Sequence, residues 1–127
     1  MSCTKNKPQV NCVMVTQGGR YDMFRQSVLD FCRQTYPRRK LIIVSSDQED
    51  RVLPYRNWVK TLGPSSSVQW HQIESPTQLT VGQMRNTALD LSADADYICS
   101  WDDDDRHHQE RVDAHIRPML SDSGLVA

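Results

Sequence analysis

The period of the hydrophobic positions changes several times along the chain, and each change predicts an element. Val10 to Thr16 is a short apolar run around Val13 and Val15 and predicts a buried strand. Gln17-Gly18-Gly19-Arg20 is a turn. Phe24, Val28, Phe31 and Cys32 then recur at helical spacing, which predicts a helix over Tyr21 to Gln34 that Pro37 stops. Leu41-Ile42-Ile43-Val44 is apolar at every position, as strands covered on both faces tend to be. Val52, Tyr55 and Val59 line a possible helix between Ser45 and Gly63, with Pro54 expected in its first turn. Gly63-Pro64-Ser65-Ser66-Ser67 is a loop, and Val68 to Ile73 reads as a strand.

Thr80 followed by Gln83 has the spacing of a capping box, and Met84, Ala88 and Leu91 mark one face of the helix it would open. A further strand is expected over Asp96 to Trp101. Val112 and Ile116 predict a helix that Pro118 ends, and Gly124-Leu125-Val126-Ala127 reads as the start of another strand, whose unpaired edge would favour association. Strands alternating with helices imply an α/β fold, a mostly parallel sheet with flanking helices. Ligands in such sheets bind beyond the carboxyl ends of the strands. Those ends are Thr16, Ser45-Ser46-Asp47 and Asp102 to Asp105, and all three should meet along one edge.

The length, 127 residues, suggests one domain or part of one, with residues 1–8 disordered. A hydrophobic content of 38% with 24% charged residues is that of a soluble globular protein, and a net charge of −1 provides no basic field for nucleic acid. The one basic cluster, Arg38-Arg39-Lys40, reads as a solvated strand entry. Cys3, Cys12, Cys32 and Cys99 have no metal-ligand or redox spacing, and the last three lie in apolar segments as small core residues. Reduced thiols, no transmembrane segment and a first stretch without the apolar core of a signal peptide lead to the expectation of a cytoplasmic protein.

The candidate chemistry lies in Asp102-Asp103-Asp104-Asp105, which follows the largely apolar Tyr97-Ile98-Cys99-Ser100-Trp101. Adjacent carboxylates 5–6 Å apart repel by about 3 kcal/mol at an effective dielectric near 20. Water, protonation or a cation must offset that cost. Hard divalent cations such as Mg²⁺ and Mn²⁺ take carboxylate oxygens and bridge to phosphate. Two readings stand: a metal–diphosphate site, and a solvated acidic turn that starts a helix. The convergence of strand ends favours the first. His107 and His108 read as exposed residues opening that helix rather than as metal ligands.

Four stretches together resemble the inverting glycosyltransferases of family 2, which have the Rossmann-like GT-A nucleotide-diphospho-sugar transferase fold. Val13-Met14-Val15-Thr16 resembles the first strand. Gln34-Thr35-Tyr36-Pro37 is similar to the end of an "S-x-x-x-Q-T-Y-P" stretch, with Asp30 in place of the Ser. Gly82-Gln83-Met84-Arg85-Asn86-Thr87-Ala88 resembles a "G-x-x-R-N-x-A" element, and Trp101 to Asp105 with Glu110-Arg111 resembles the "DXD" strand end and following helix.

The resemblance implies a nucleotide-diphospho-sugar donor, an unknown acceptor and Mn²⁺ or Mg²⁺. It places Asp102 near the ribose and Asp104 on the metal, with Asp103 and Asp105 as the alternative register, so that Asp102, Asp104 and Asp105 are candidate metal ligands. Thr16, Asp47, Arg85, Asp102 and Asp103 are candidate nucleotide contacts, and Asn86 would brace the neighbouring loop. The catalytic base and acceptor site would follow the DXD helix, so the chain resembles a donor-binding part that is incomplete at its C-terminus and by itself binds donor better than it turns donor over. Asp47 departs from the family's two aspartates followed by Gly-Ser. Alternatives of other classes are a sugar-nucleotidyltransferase, of which Gln17-Gly18-Gly19-Arg20 is a faint echo, and a non-catalytic truncated domain that binds metal or nucleotide.

Overall fold

The computed structural model describes residues 8–17, 19–46, 49–73 and 79–126. Asp47 and all but the last of residues 1–8 lie outside them. Pro8 is inside, and its carbonyl accepts a hydrogen bond from the Tyr36 hydroxyl at 2.6 Å.

The elements are β1 (Val10–Val15), α1 (Tyr21–Cys32), β2 (Arg39–Ser45), α2 (Glu49–Thr61), a 3-10 turn (Pro64–Ser66), β3 (Val68–Gln72), α3 (Val81–Leu91), β4 (Tyr97–Ser100) and α4 (Arg111–Val126). The sheet is parallel throughout, in the order β3-β2-β1-β4. Alternate residues of the central strands feed two cores. Val10, Cys12, Met14, Leu41, Ile43 and Cys99 meet Phe24, Val28 and Phe31 of α1, Tyr55 and Val59 of α2, and Val112 and Ile116 of α4. Val13, Ile42 and Val44 meet Met84 and Ala88 of α3 on the other face. The chain steps from β1 outward to β2 and β3, then returns beneath the sheet to β4. The direction of winding reverses between β1 and β4, so the crevice of this fold opens at their carboxyl ends. No helix among the described residues is long and apolar enough to cross a membrane.

Three helices differ from the sequence expectation. Helix α1 ends at Cys32 rather than Gln34, because Arg39 turns back over it. Its guanidinium donates to the carbonyls of Phe31, Cys32 and Tyr36 at 2.9–3.1 Å, filling acceptors left open at the helix end. Arg39 is therefore a cap and not a solvated strand entry. Pro54 lies inside α2, past the first turn. Helix α4 continues through Pro118 to Val126, so residues 124–126 are helical and supply no exposed strand edge. Proline's fixed φ is itself helical, and what it removes is one hydrogen bond. A short apolar run such as Leu125-Val126 does not distinguish helix from strand by periodicity.

Candidate functional site

The carboxyl ends of β1 and β4 open into two loops, and α1 packs under both. The β4 loop begins at Trp101, whose N–H donates to the Val13 carbonyl at 2.9 Å and so extends the pairing with β1 by one bond. The Trp101 side chain is fully buried. Its indole N–H donates to the Ser27 carbonyl at 2.9 Å, its ring meets Phe31 edge-on at 5.9 Å, and His107 stacks on it at 3.9 Å. Ser27, in turn, donates its hydroxyl to the Asp102 carbonyl at 2.6 Å. One turn of α1 thus holds the residue before the acidic run by its ring and the first aspartate by its backbone.

The far end of the loop is held by Asp30, buried on the same face of α1. Its carboxylate accepts from Arg106 Nε at 2.9 Å, from Arg106 Nη2 at 3.2 Å and from the His107 backbone N–H at 2.8 Å. Burial alone would push this carboxyl up, but the Arg106 and His107 bonds outweigh it and leave it below the ordinary carboxylate value. Gln34 completes the fixture. Its amide donates to the carbonyls of Asp30 and His108, and its oxygen accepts from the N–H of Val112 at 2.9 Å, in the first turn of α4. The Gln34-Thr35-Tyr36-Pro37 stretch thereby acts at the loop after the aspartates. The signal for Ser27 and Asp30 was present in the sequence: two polar residues interleaved with Phe24, Val28 and Phe31 on the face expected to be buried.

His107 is buried, contrary to the expectation of an exposed helix opener; His108 is exposed. Arg111 Nη1 lies 2.5 Å from His107 Nδ1, and a guanidinium can only donate. Nδ1 is therefore the acceptor, and Nε2 carries the proton toward the Asp102 carbonyl at 3.2 Å. Burial first, and the Arg111 charge with it, hold the imidazole below its ordinary pKa.

This has a consequence in acid. Below about pH 6.5 the unfolded chain takes up a proton at His107 that the folded chain resists, so the contribution is complete above that pH and is lost as pH falls. His71, lowered chiefly by burial, acts in the same sense. Asp30, lowered in the fold, adds a second loss below about pH 4. The urea midpoint should fall between about pH 7.5 and 5.5, and fall less in His107→Gln. An equal fall in the variant would remove His107 from the account.

The four carboxylates do not alternate as they would on an extended segment. Residues 103 and 104 form a turn, with Asp102 and Asp105 exposed on its flanks and Asp103 and Asp104 half-buried. Asp104 pairs with Arg20 at 2.6 Å. Asp103 lines a cleft of about 290 Å³ with Val15, Gln17, Arg20 and Val81, the first residue of α3. Burial first, then the Asp104 charge, raise the Asp103 carboxyl above its ordinary value, against the opposing influence of Thr16 and Arg20. The buried Thr16 hydroxyl makes no hydrogen bond of normal geometry among the described residues, so its hold on Asp103 is weak. The α3 wall of the cleft is fixed by the expected capping box: Thr80 Oγ1 accepts from the Gln83 N–H at 3.1 Å, and Gln83 Oε1 from the Thr80 N–H at 2.9 Å.

Of the remaining candidates, Arg85 and Asn86 are exposed on α3. Arg85 has no ion-pair partner among the described residues. It stands four residues beyond Val81, on the same side of the helix. Asp47 lies outside the described residues. Among those described, no three His, Cys, Asp or Glu side chains converge as a ready cation cage. The pair Asp103 and Asp104 instead suits Mg²⁺-type binding, in which one or two carboxylates share the ion with phosphate and water.

The sequence matches the profile of glycosyl transferase family 2 over residues 12–127. The chain belongs to that family. Solved structures share the fold of this family 2 chain. TarS of S. aureus, residues 1–349 in complex with UDP-GlcNAc, superposes with a TM-score of 0.69 at 16% identity, over 86% of this chain and 30% of that one. The same protein in complex with UDP gives 0.69 over 86% and 31%. The mannosyltransferase PcManGT from Pyrobaculum calidifontis, in complex with GDP-Man and Mn²⁺, gives 0.52 at 19% identity, over 67% of this chain and 24% of that one. Identities this low show a shared fold. No curated protein sequence matches the chain. The chain spans less than a third of the length of these solved structures.

Proposed function

We propose that this family 2 chain is the donor-binding part of a glycosyltransferase that moves a sugar, with inversion, from a nucleotide-diphospho-sugar to an acceptor with help from a divalent cation. The observation that carries this reading is the cleft at the β1/β4 reversal, lined by Asp103 and Arg20, with the half-buried Asp104 paired to that same arginine. Two adjacent carboxylates kept beside an arginine at a strand end suit a dianionic or trianionic ligand shared with a cation. The complexes of TarS with UDP-GlcNAc and of PcManGT with GDP-Man and Mn²⁺ support the donor class and the cation.

In this reading Asp103 and Asp104 would hold the ion, which when bound neutralises charge developing on the diphosphate leaving group. Asp102 and Asp105, on the flanks of the turn, would contact the ribose and the metal's water shell. Thr16, buried at the carboxyl end of β1, would border the nucleotide base, with Asp47 a candidate contact to it on sequence grounds alone. Arg85, exposed on the side of α3 that carries Val81, would approach the donor from that side. Ser27, Asp30 and Trp101 would position the turn rather than contact the donor.

Calorimetry with UDP and GDP tests the proposal. Mn²⁺ should raise nucleoside diphosphate affinity by at least about tenfold, the worth of one charge-assisted contact. Equal affinity with Mn²⁺ and with chelator present would count against a shared site.

A further inference from the structure

Arg20 is the one cation paired with the acidic turn among the described residues. Its backbone is fixed on both sides: the N–H donates to the Tyr55 hydroxyl at 2.8 Å, and the carbonyl accepts from the Phe24 N–H at 2.9 Å. Tyr55 is itself buried against Phe24 and Tyr21, so the anchor is rigid. Gly19, at φ +87°, makes the turn that delivers Arg20 to the head of α1. The side chain, by contrast, is held among the described residues by a single polar contact, Nη1 to Asp104 Oδ2 at 2.6 Å, with 59% of the Arg20 side chain and 41% of the Asp104 side chain exposed.

We propose that Arg20 is a counterion placeholder: it occupies Asp104 until a divalent cation takes that carboxylate, and then turns to the diphosphate within the same cleft. The magnitudes permit the exchange. An ion pair this exposed favours its closed state by no more than about fivefold. A divalent ion carries twice the charge and brings vacant positions for phosphate oxygens. Displaced from Asp104, the guanidinium stays tethered at the cleft wall beside Gln17 and Asp103. There its planar fork suits two phosphate oxygens. Cation and nucleotide would therefore bind cooperatively, because each relieves a cost the other meets alone.

This inference rests on the donor-site reading, but its first test uses metal alone. Mn²⁺ binding is followed by electron paramagnetic resonance of the free ion, without nucleotide, in the full chain and in Arg20→Gln and Arg20→Lys. Arg20→Gln should bind Mn²⁺ up to about fivefold more tightly, and Arg20→Lys, which keeps the charge, should stay near the parent. With saturating Mn²⁺, UDP or GDP should bind Arg20→Gln about tenfold more weakly, the worth of a lost charged contact. Unchanged or weaker Mn²⁺ affinity in Arg20→Gln, with its circular dichroism intact, overturns the placeholder. Unchanged nucleotide affinity overturns the second half. If the parent chain binds neither nucleotide, the donor reading fails, and the metal measurement still decides whether Arg20 competes for Asp104.

Discussion

Replacing Trp101 with alanine is expected to cost about 4 kcal/mol, within the range for removing a fully buried large aromatic. The ring is fully buried, and its loss leaves a cavity bounded by Phe31, His107 and the backbone of Ser27. The same change removes the platform under His107, whose ring N–H supports the Asp102 carbonyl. Mn²⁺-dependent nucleotide binding should therefore weaken even where the variant is still folded. Trp101→Phe keeps a ring against Phe31 and loses the bond to Ser27, and should cost clearly less. Urea unfolding measures the first effect and calorimetry the second. A cost below about 1.5 kcal/mol in the alanine variant would mean that the neighbours close over the gap and that Trp101 is not the pin of the loop.

The second large effect concerns the turn itself. Asp103→Asn and Asp104→Asn should each lower Mn²⁺-dependent UDP or GDP affinity by about ten- to a hundredfold, the range for losing one contact to a charged group. Asp105→Asn should change it much less, because Asp105 is exposed and neither lines the cleft, as Asp103 does, nor pairs with Arg20, as Asp104 does, among the described residues. An extended acidic strand would predict that Asp103 and Asp104 differ sharply, since neighbours would point to opposite sides. Residues 103 and 104 instead form a turn, and in the proposed reading both carboxylates would share one ion. A severe loss confined to Asp104→Asn would restore the alternating register. A severe loss in Asp105→Asn, with Asp103→Asn mild, would move the ion to the outer flank.

The strands were legible because a buried strand needs a short, continuous apolar run, and Val10–Val15 and Arg39–Ser45 each contain one. The α3 start was legible because a capping box is local: Thr80 and Gln83 satisfy each other's backbone within one turn. The run of α4 past Pro118 was not legible, since a proline permits or ends a helix according to what the flanking turns gain from packing. Val112 and Ile116 are buried in the larger core just before it. His107 was misplaced for a related reason. A histidine beside four aspartates looks solvated until a buried tryptophan and an arginine are found on either side of it in space.

What the sequence by itself determined is everything set by near neighbours: the order of strands and helices, the parallel sheet, the two faces of the core, and an acidic run after the fourth strand. Tertiary structure decided what the aspartates meet. Ser27 reaches Asp102 across 75 positions, Asp30 reaches Arg106 across 76, and Arg20 reaches Asp104 across 84. Periodicity reports which face a residue shares with others a turn away, because backbone geometry repeats over that distance. It carries nothing about which carboxylate meets a cation from another element. That depends on where the sheet brings β1 and β4 side by side, and there the crevice, the arginine and the turn come together.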